Sequence, residues 1–520
     1  MSYRYEQTIR GHVYVYEIES FWDPEKKQPR QRRKYLGKKD PETGEIRSPF
    51  RGIVPRAVRD FGHVYLVNHI VERLGLGSLV RDVWPEKAAE ILSLAVFQVL
   101  EARPLYLARL WAESAEVDPS LDLSSQRISR LMEELGREED RRLRFLGSWI
   151  EKQGDIRGIF FDITSLSSYS KLIEEIEWGY NRDGDNLPQI NLGMIVGQPS
   201  ELPLAYRVYP GSIADVTTLK NILRLMEEWG VRDVTVVLDR GFYSAANLHE
   251  MADDHLHFII PLSFATTIAS GLLAANLREL QSPLSAFYSK GRPMFYVRQT
   301  IAIGETEVEA HLYHDERRKA DEMDHLMRRL VEIESQVETK EFWNVAAVEE
   351  HLESVFRGSR SLYEIEGQRP RFRLSRRPKA ISWLMNRMGK TILLTNDKTI
   401  GRDDILMFYR RKDVVEKMFD VIKNELENGK LRVSSREAME GRLFLTYLSL
   451  NIHSALSRIM KEQDLFKSFT MAEVFADLKK LRIVTLTSGR TMLTEITKRQ
   501  RTLFQKFSVP LPVAPLGSAE

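Results

Sequence analysis

The 520-residue chain contains no cysteine. That excludes disulfides, cysteine-ligated zinc and a thiol nucleophile, and it fits a reducing compartment. Its eleven histidines supply no His-x-x-x-His pair on a helical pattern. His255 and His257 alternate ahead of "FIIPL" and read as strand-entry residues rather than metal ligands. No Walker-type phosphate loop is present. No apolar run approaches the ~20 residues that span a membrane, and "MSYRYEQTIRGH" lacks the apolar stretch of a secretory signal. A cytoplasmic location is the expectation. Net charge is only +2, so no strong field of one sign acts on the whole molecule. The basic residues are clustered instead: eight of the residues from Lys26 to Lys39 are Lys or Arg, which offers phosphate contact or a solvated hairpin.

What is present is an ordinary globular composition, 43% hydrophobic and 29% charged, with enough apolar residues for a large core. Residues 1–55 read as strands and turns with a basic stretch. Residues 56–150 have helical periodicity; Ser124 or Ser125 suits a helix cap, and Arg127 and Arg130 follow in the first turns, as in a DNA-reading helix-turn-helix. From 151 to 263 strands come first and then alternate with helices, which argues for a mixed α/β sheet. The order breaks down over 264–390 and resumes over 391–430, so 264–390 reads as an insertion. Residues 431–520 read as mostly helical.

Three carboxylates stand in unusual places. Asp162 ends the apolar run "GIFF", and Asp239 ends "VTVVL". A carboxylate there is costly unless it is paired, hydrogen-bonded or metal-bound, although a turn former or helix cap is the commoner role for either one alone. The third lies in "YRRKDVVEKMFDVIKNEL", residues 409–426, which reads as one helix. At about 100° per residue, Tyr409, Lys412, Glu416 and Lys423 fall within roughly 60° of one another. Phe408, Val415, Phe419, Ile422 and Leu426 form a separate apolar stripe. If Asp162, Asp239 and Glu416 converge, they need cations nearby to stay ionised. Hard oxygen donors without His or Cys suit Mg²⁺ or Mn²⁺, and two such ions about 3.5–4 Å apart serve phosphodiester chemistry.

In order along the chain, "FFDITS" around Asp162, "VVLDRGFYS" around Asp239, and Tyr409, Lys412, Glu416 and Lys423 resemble the motifs of DDE transposases of bacterial insertion sequences. The match is to the insertion-sequence four superfamily, sixteen-thirty-four type, with its Tyr-Arg-Glu-Lys signature. "YPGSIADVTTL" and "FWDPEKKQPRQRRKYLGKKDPETGEI" also resemble that branch. The Arg of the signature is Lys412 here, with Arg411 adjacent; either can supply the basic group, but lysine lacks the bidentate fork of arginine.

The resemblance implies a ribonuclease-H-like α/β core in two parts, 151–263 and 391–430. A largely β insertion domain, 264–390, would contact transposon ends. A helical DNA-binding region would cover 56–150, and a helical C-terminal region, 431–520, could dimerise. It implies that Asp162, Asp239 and Glu416 are catalytic and bind two Mg²⁺ (or Mn²⁺) ions, while Tyr409, Lys412 (or Arg411) and Lys423 hold DNA phosphates. Substrates would be the terminal inverted repeats and target DNA, with a homodimer joining two ends at the bacterial nucleoid. Within the insertion, Arg371, Arg373 and Arg376 belong to a basic strip that fits DNA contact or a solvated edge strand, with Phe372 on the opposite face. Some relatives form a DNA hairpin and stack a flipped base on tryptophan. Trp383 is placed for that role, although "ISWLM" favours a buried core tryptophan. The rival readings are a ribonuclease-H-like nuclease without strand transfer and an inactive, domesticated DNA-binding protein.

Overall fold

The computed structural model describes residues 2–23, 28–47, 54–170, 173–179, 186–212, 224, 226–231, 234–426 and 430–513. The first lysines of the basic run, most of "YPGSIADVTTL" and the first part of the helix expected to follow it lie outside these residues. The chain divides into two compact units. One comprises Met1–Trp149, Ser170–Ile173 and Asp420–Glu520, and the other Ile150–Tyr169 and Glu174–Phe419.

In the first unit, β1 (Ser2–Ile9), β2 (His12–Asp23), β3 (Gln28–Lys39) and β4 (Ile46–Arg47) form an antiparallel sheet in sequence order. β5 (Pro55–Asp60) pairs antiparallel with the strand Arg482–Leu486, joining distant ends of the chain. The region 431–520, expected to be mostly helical, therefore contributes strands as well. Its long helix Arg436–Glu462 packs on Ser125–Arg137 and Ala88–Glu101. Gly136 meets the Glu437 carbonyl and Gly441 the Met132 carbonyl so closely that neither position has room for a Cβ. Ser124 caps its helix by accepting from the Arg127 N–H. The Arg127 side chain is held by Glu90 (2.8 and 2.5 Å) and Glu134 (3.1 Å). It is thus committed within the protein rather than presented to a DNA groove.

The second unit contributes nine strands to a mixed sheet. Its strands are β6 (Gly158–Ser168), β7 (Gln189–Gln198), β8 (Pro203–Pro210), β9 (Thr235–Val237), β10 (His257–Pro261), β11 (Ala286–Ser289), β12 (Arg292–Ile303), β13 (Thr306–His314) and a strand at Lys390–Thr395. In space the order is β11, β12, β13, Lys390–Thr395, β10, β9, β6, β7, β8. β9 runs parallel to both β6 and β10, and the other pairs are antiparallel. The central strands are buried throughout, with Phe161, Ile163, Val236, Phe258 and Leu394 among their core residues. Such strands read as continuous apolar runs because both sheet faces are covered.

The segment expected as a β insertion divides in two. β11–β13 extend the main sheet instead of forming a separate domain, because β13 pairs with Lys390–Thr395. Only 315–389 stands apart, and it is more helical than β. Helices Glu316–Thr339, Val345–Val355 and Pro378–Met385 surround a hairpin of Tyr363–Gln368 and Arg371–Arg376. Leu326, Leu330, Ile333 and Val337 repeat at helical spacing and bury a small core with Val348, Leu352, Tyr363 and Phe372.

The segment 409–426 is not one regular helix. Arg402–Arg411 and Asp413–Asp420 are separated at Lys412, and Val421–Glu425 is π-helical. The Lys412 N–H donates to the Tyr409 carbonyl (3.1 Å) and the Val415 N–H to the Lys412 carbonyl (3.0 Å). These three-residue steps overwind the chain, and the π turn then unwinds it. The 100° wheel therefore does not carry through to Lys423, which also falls in the other compact unit.

Candidate active site

Asp162 and Asp239 are brought together by strand register. On the parallel strands β6 and β9, Gly158 is level with Thr235 and Phe160 with Val237. Two residues further along stand Asp162, still within β6, and Asp239, just past the end of β9. Asp162 is 4% exposed and accepts a hydrogen bond from the Ile163 N–H at 2.8 Å. Asp239 accepts from the Arg240 N–H at 2.6 Å and caps the 3₁₀ turn Arg240–Phe242. The capping role expected of a lone aspartate is present, and it does not exhaust this one.

Lys412 completes the arrangement. The break in the helix leaves its side chain only 11% exposed, with Nζ 2.8 Å from Asp239 Oδ1 and 3.4 Å from Glu416 Oε1. Burial works against its charge, but the hydrogen bond and charge of Asp239, with Asp162 and Glu416 adding theirs, raise the ammonium pKa. For Asp239, burial also opposes ionisation, yet the Lys412 hydrogen bond and charge, with help from the Arg240 N–H, hold its pKa below the usual value. Lysine 412 is thus a fixed cation at neutral pH, shared by two carboxylates and felt by a third.

Arg411 does not substitute for it. Its guanidinium donates to Gln198 Oε1 (2.9 Å) and stands 3.8 Å from Glu201. Of the two basic residues, Lys412 is the one that meets Asp239 and Glu416. Among the described residues, no three His, Asp or Glu side chains gather into one metal-sized cluster. The ammonium occupies the position between Asp239 and Glu416 that a cation would compete for. The donor set of three carboxylates fits a hard divalent ion by its chemistry.

Tyr409 lines a cavity of about 540 Å³, together with Arg410, Lys290, Arg292, Arg318 and Tyr313. Lys290 and Gly291 both have positive φ (51° and 73°) in the two-residue turn between β11 and β12, as a tight hairpin demands. That turn carries Lys290 and Arg292 to the cavity. Arg410 donates to Ser289 Oγ (3.3 Å) and contacts Met294 Sδ (3.1 Å). Burial lowers its pKa; Asp315 counters this and Arg292 and Arg318 reinforce it. Sequence reading passed over Arg410, Arg292 and Lys290, since only the hairpin brings them to Tyr409.

The other expected contacts lie in the 315–389 region. Arg371 and Arg373 are exposed on one face of their strand, and Phe372 is buried on the other. Arg376 is engaged with both carboxylate oxygens of Glu334 (2.6 and 2.9 Å). Trp383 is 52% exposed, which corrects the expectation of a core residue. Its neighbours Ile381, Leu384 and Met385 face the small core, and helical spacing turns Trp383 away, under the Arg387 guanidinium.

A family model described as "Transposase DDE domain" matches residues 153–452, well over half of the chain. The chain belongs to the DDE transposase family. All three candidate carboxylates of this transposase lie inside the matched stretch. Members of this family generally use divalent metal ions. Among solved structures it is similar to one described as a cryo-EM structure of piggyBac transposase synaptic complex with hairpin DNA. The identity is 10% over 82% of this chain and 76% of that one, with a TM-score of 0.34; no residue correspondence follows at that level. No curated protein matches the chain. No single described helix is long and apolar enough to cross a membrane.

Proposed function

We propose that this transposase binds the terminal inverted repeats of its own insertion sequence, cleaves a strand at each end and joins the freed 3′ end to target DNA. The reading includes the insertion-sequence four assignment and a ribonuclease-H-like core. The meander β6–β7–β8, followed by parallel β9 and β10 on the far side of β6, supports the latter. The observation that carries the function is the ammonium of Lys412 shared by Asp239 and Glu416, with the charge of Asp162 also acting on it. Carboxylates that converge on one ammonium repel one another unless a cation intervenes.

In this proposal Asp162, Asp239 and Glu416 would hold two Mg²⁺ ions, for which Mn²⁺ would substitute. When bound, such ions activate the attacking oxygen and stabilise the leaving one. The protein's own groups do the remainder. Lys412 keeps the carboxylates together before DNA arrives and then donates to a phosphate oxygen. Tyr409, with the cations of the adjoining cavity, holds the strand next to the scissile bond. Lys423 and Arg411 are further phosphate contacts. Transfer exchanges one phosphodiester bond for another, so no nucleotide is consumed. Two ends must be handled together, which implies a homodimer on DNA.

The test uses Asp162→Asn, Asp239→Asn and Glu416→Gln with a labelled end substrate. Each variant is expected to bind the end and to lose Mg²⁺-dependent cleavage. Near-normal cleavage by any one removes that residue from the site. Cleavage by the parent without joining to target would favour the hydrolytic nuclease.

A further inference from the structure

The β1–β3 sheet separates its side chains by type. Residues directly opposite on antiparallel strands share a face. Tyr5 is level with Tyr16, and Tyr16 with Tyr35, giving a row of three tyrosines across three strands. The adjacent row is Tyr3, Ile18 and Arg33, and Trp22 lies further along β2 on the same face. Tyr3, Tyr5 and Trp22 are exposed. The Tyr16 and Tyr35 ring centroids are 5.2 Å apart. Arg33 lies 3.8 Å from the Tyr16 ring centroid and 5.2 Å from that of Tyr5, and donates to Gln7 (2.6 Å). No carboxylate pairs with it among the described residues. Every carboxylate of the three strands, Glu6, Glu17, Glu19 and Asp23, alternates onto the opposite face. There, Glu17 and Glu19 stand level with Lys34 and Arg32.

One face thus carries aromatic rings, the Arg33 guanidinium, Lys38 level with Tyr14, and no carboxylate, while the other is electrically mixed. A duplex presents phosphates and hides its base faces, so it would gain little from tyrosine rows with only two cations. Unpaired bases offer π faces, and successive bases stack on aromatic side chains. A sheet with exposed aromatics on neighbouring strands is suited to this, each row meeting one base.

We infer that the β1–β3 aromatic face is a binding surface for single-stranded DNA. It lies in a different compact unit from the carboxylates and does not depend on the proposed chemistry. Arg33 and Lys38 supply the charge, and Tyr3, Tyr5 and Trp22 supply the stacking surface.

The experiment measures binding of a fluorescein-labelled (dT)₁₅ and of a random-sequence duplex to the full chain, at several salt concentrations. Tyr3→Ala/Tyr5→Ala/Trp22→Ala is expected to weaken (dT)₁₅ binding by at least about tenfold and to leave duplex binding within about twofold. Tyr3→Phe/Tyr5→Phe, which keeps the rings, is expected to bind like the parent. Arg33→Gln should reduce the log–log salt slope for (dT)₁₅ by about 0.7. Unchanged (dT)₁₅ binding by a triple variant with parental circular dichroism overturns the inference. So does loss of self-association, by sedimentation, without loss of (dT)₁₅ binding, which would make the face an interface between copies. Asp239→Asn separates this surface from the active site: it should abolish cleavage and leave (dT)₁₅ binding intact.

Discussion

Replacing Lys412 by Met removes the ammonium while keeping most of the side chain's volume. At 2.8 Å from Asp239 and an effective dielectric constant of about 20, the gross attraction is about 6 kcal/mol. Burying the ammonium offsets much of that. The Asp239 side chain keeps 35% of its surface and Glu416 59%, so water screens both partners. The expected net loss is about 1–3 kcal/mol at pH 7, read from urea unfolding. The pH dependence has a definite sign. The depressed pKa of Asp239 stabilises the fold above about pH 4, and that contribution is lost as pH falls through its folded value. The raised pKa of Lys412 stabilises below about pH 10 and is lost as pH rises through its folded value. The difference between parent and variant should therefore be largest near neutrality and vanish in acid. Mg²⁺ should stabilise Lys412→Met more than the parent, because the variant's carboxylates lack their cation. A double-mutant cycle with Asp239→Asn that gives coupling below about 0.3 kcal/mol, or a loss that persists unchanged at pH 3, refutes the reasoning.

Arg371→Ala/Arg373→Ala should weaken DNA binding and reduce its log–log salt slope by up to about 0.9 per contact; an unchanged slope makes the strip a soluble edge. Arg376→Ala should instead cost about 0.5–1 kcal/mol of stability through loss of its Glu334 pair, and a change in salt slope without destabilisation would reverse that assignment. Trp383→Ala should cost under about 1 kcal/mol, as its exposure requires, while leaving first-strand nicking intact and sharply reducing any hairpin product. Parental hairpin yield from the folded variant excludes base stacking by Trp383.

The carboxylates were legible because "GIFFD" and "VTVVLD" leave a charge at the end of an apolar run, a local conflict that sequence alone exposes. That β6 and β9 are neighbours was not legible, since it depends on the pairing of Gly158 with Thr235. The amphipathic stripe from Val415 to Leu426 was read correctly as buried. The overwound step at Lys412 and the π turn after it were missed, because neither changes residue types. Trp383 was misjudged because a run of apolar residues does not state which side of a short helix faces its core. Likewise "MFYVRQTIAIGETEVEAHLYH", which holds most of β12 and β13, has the alternation of strands, but which sheet they join is decided by edge pairing far along the chain.

The pairing of β5 with Arg482–Leu486 has a bearing on synthesis. β5 precedes its partner strand by about 420 residues, roughly 20–80 s of synthesis at ordinary elongation rates. The whole nine-strand unit is made in that interval and can fold before the unit that brackets it is complete. A message cut short before residue 482 would yield a chain with all three candidate carboxylates present but its β5 edge uncapped. Such a product would be a sticky fragment, so synthesis of the Arg482–Leu486 strand acts as a licence for what precedes it.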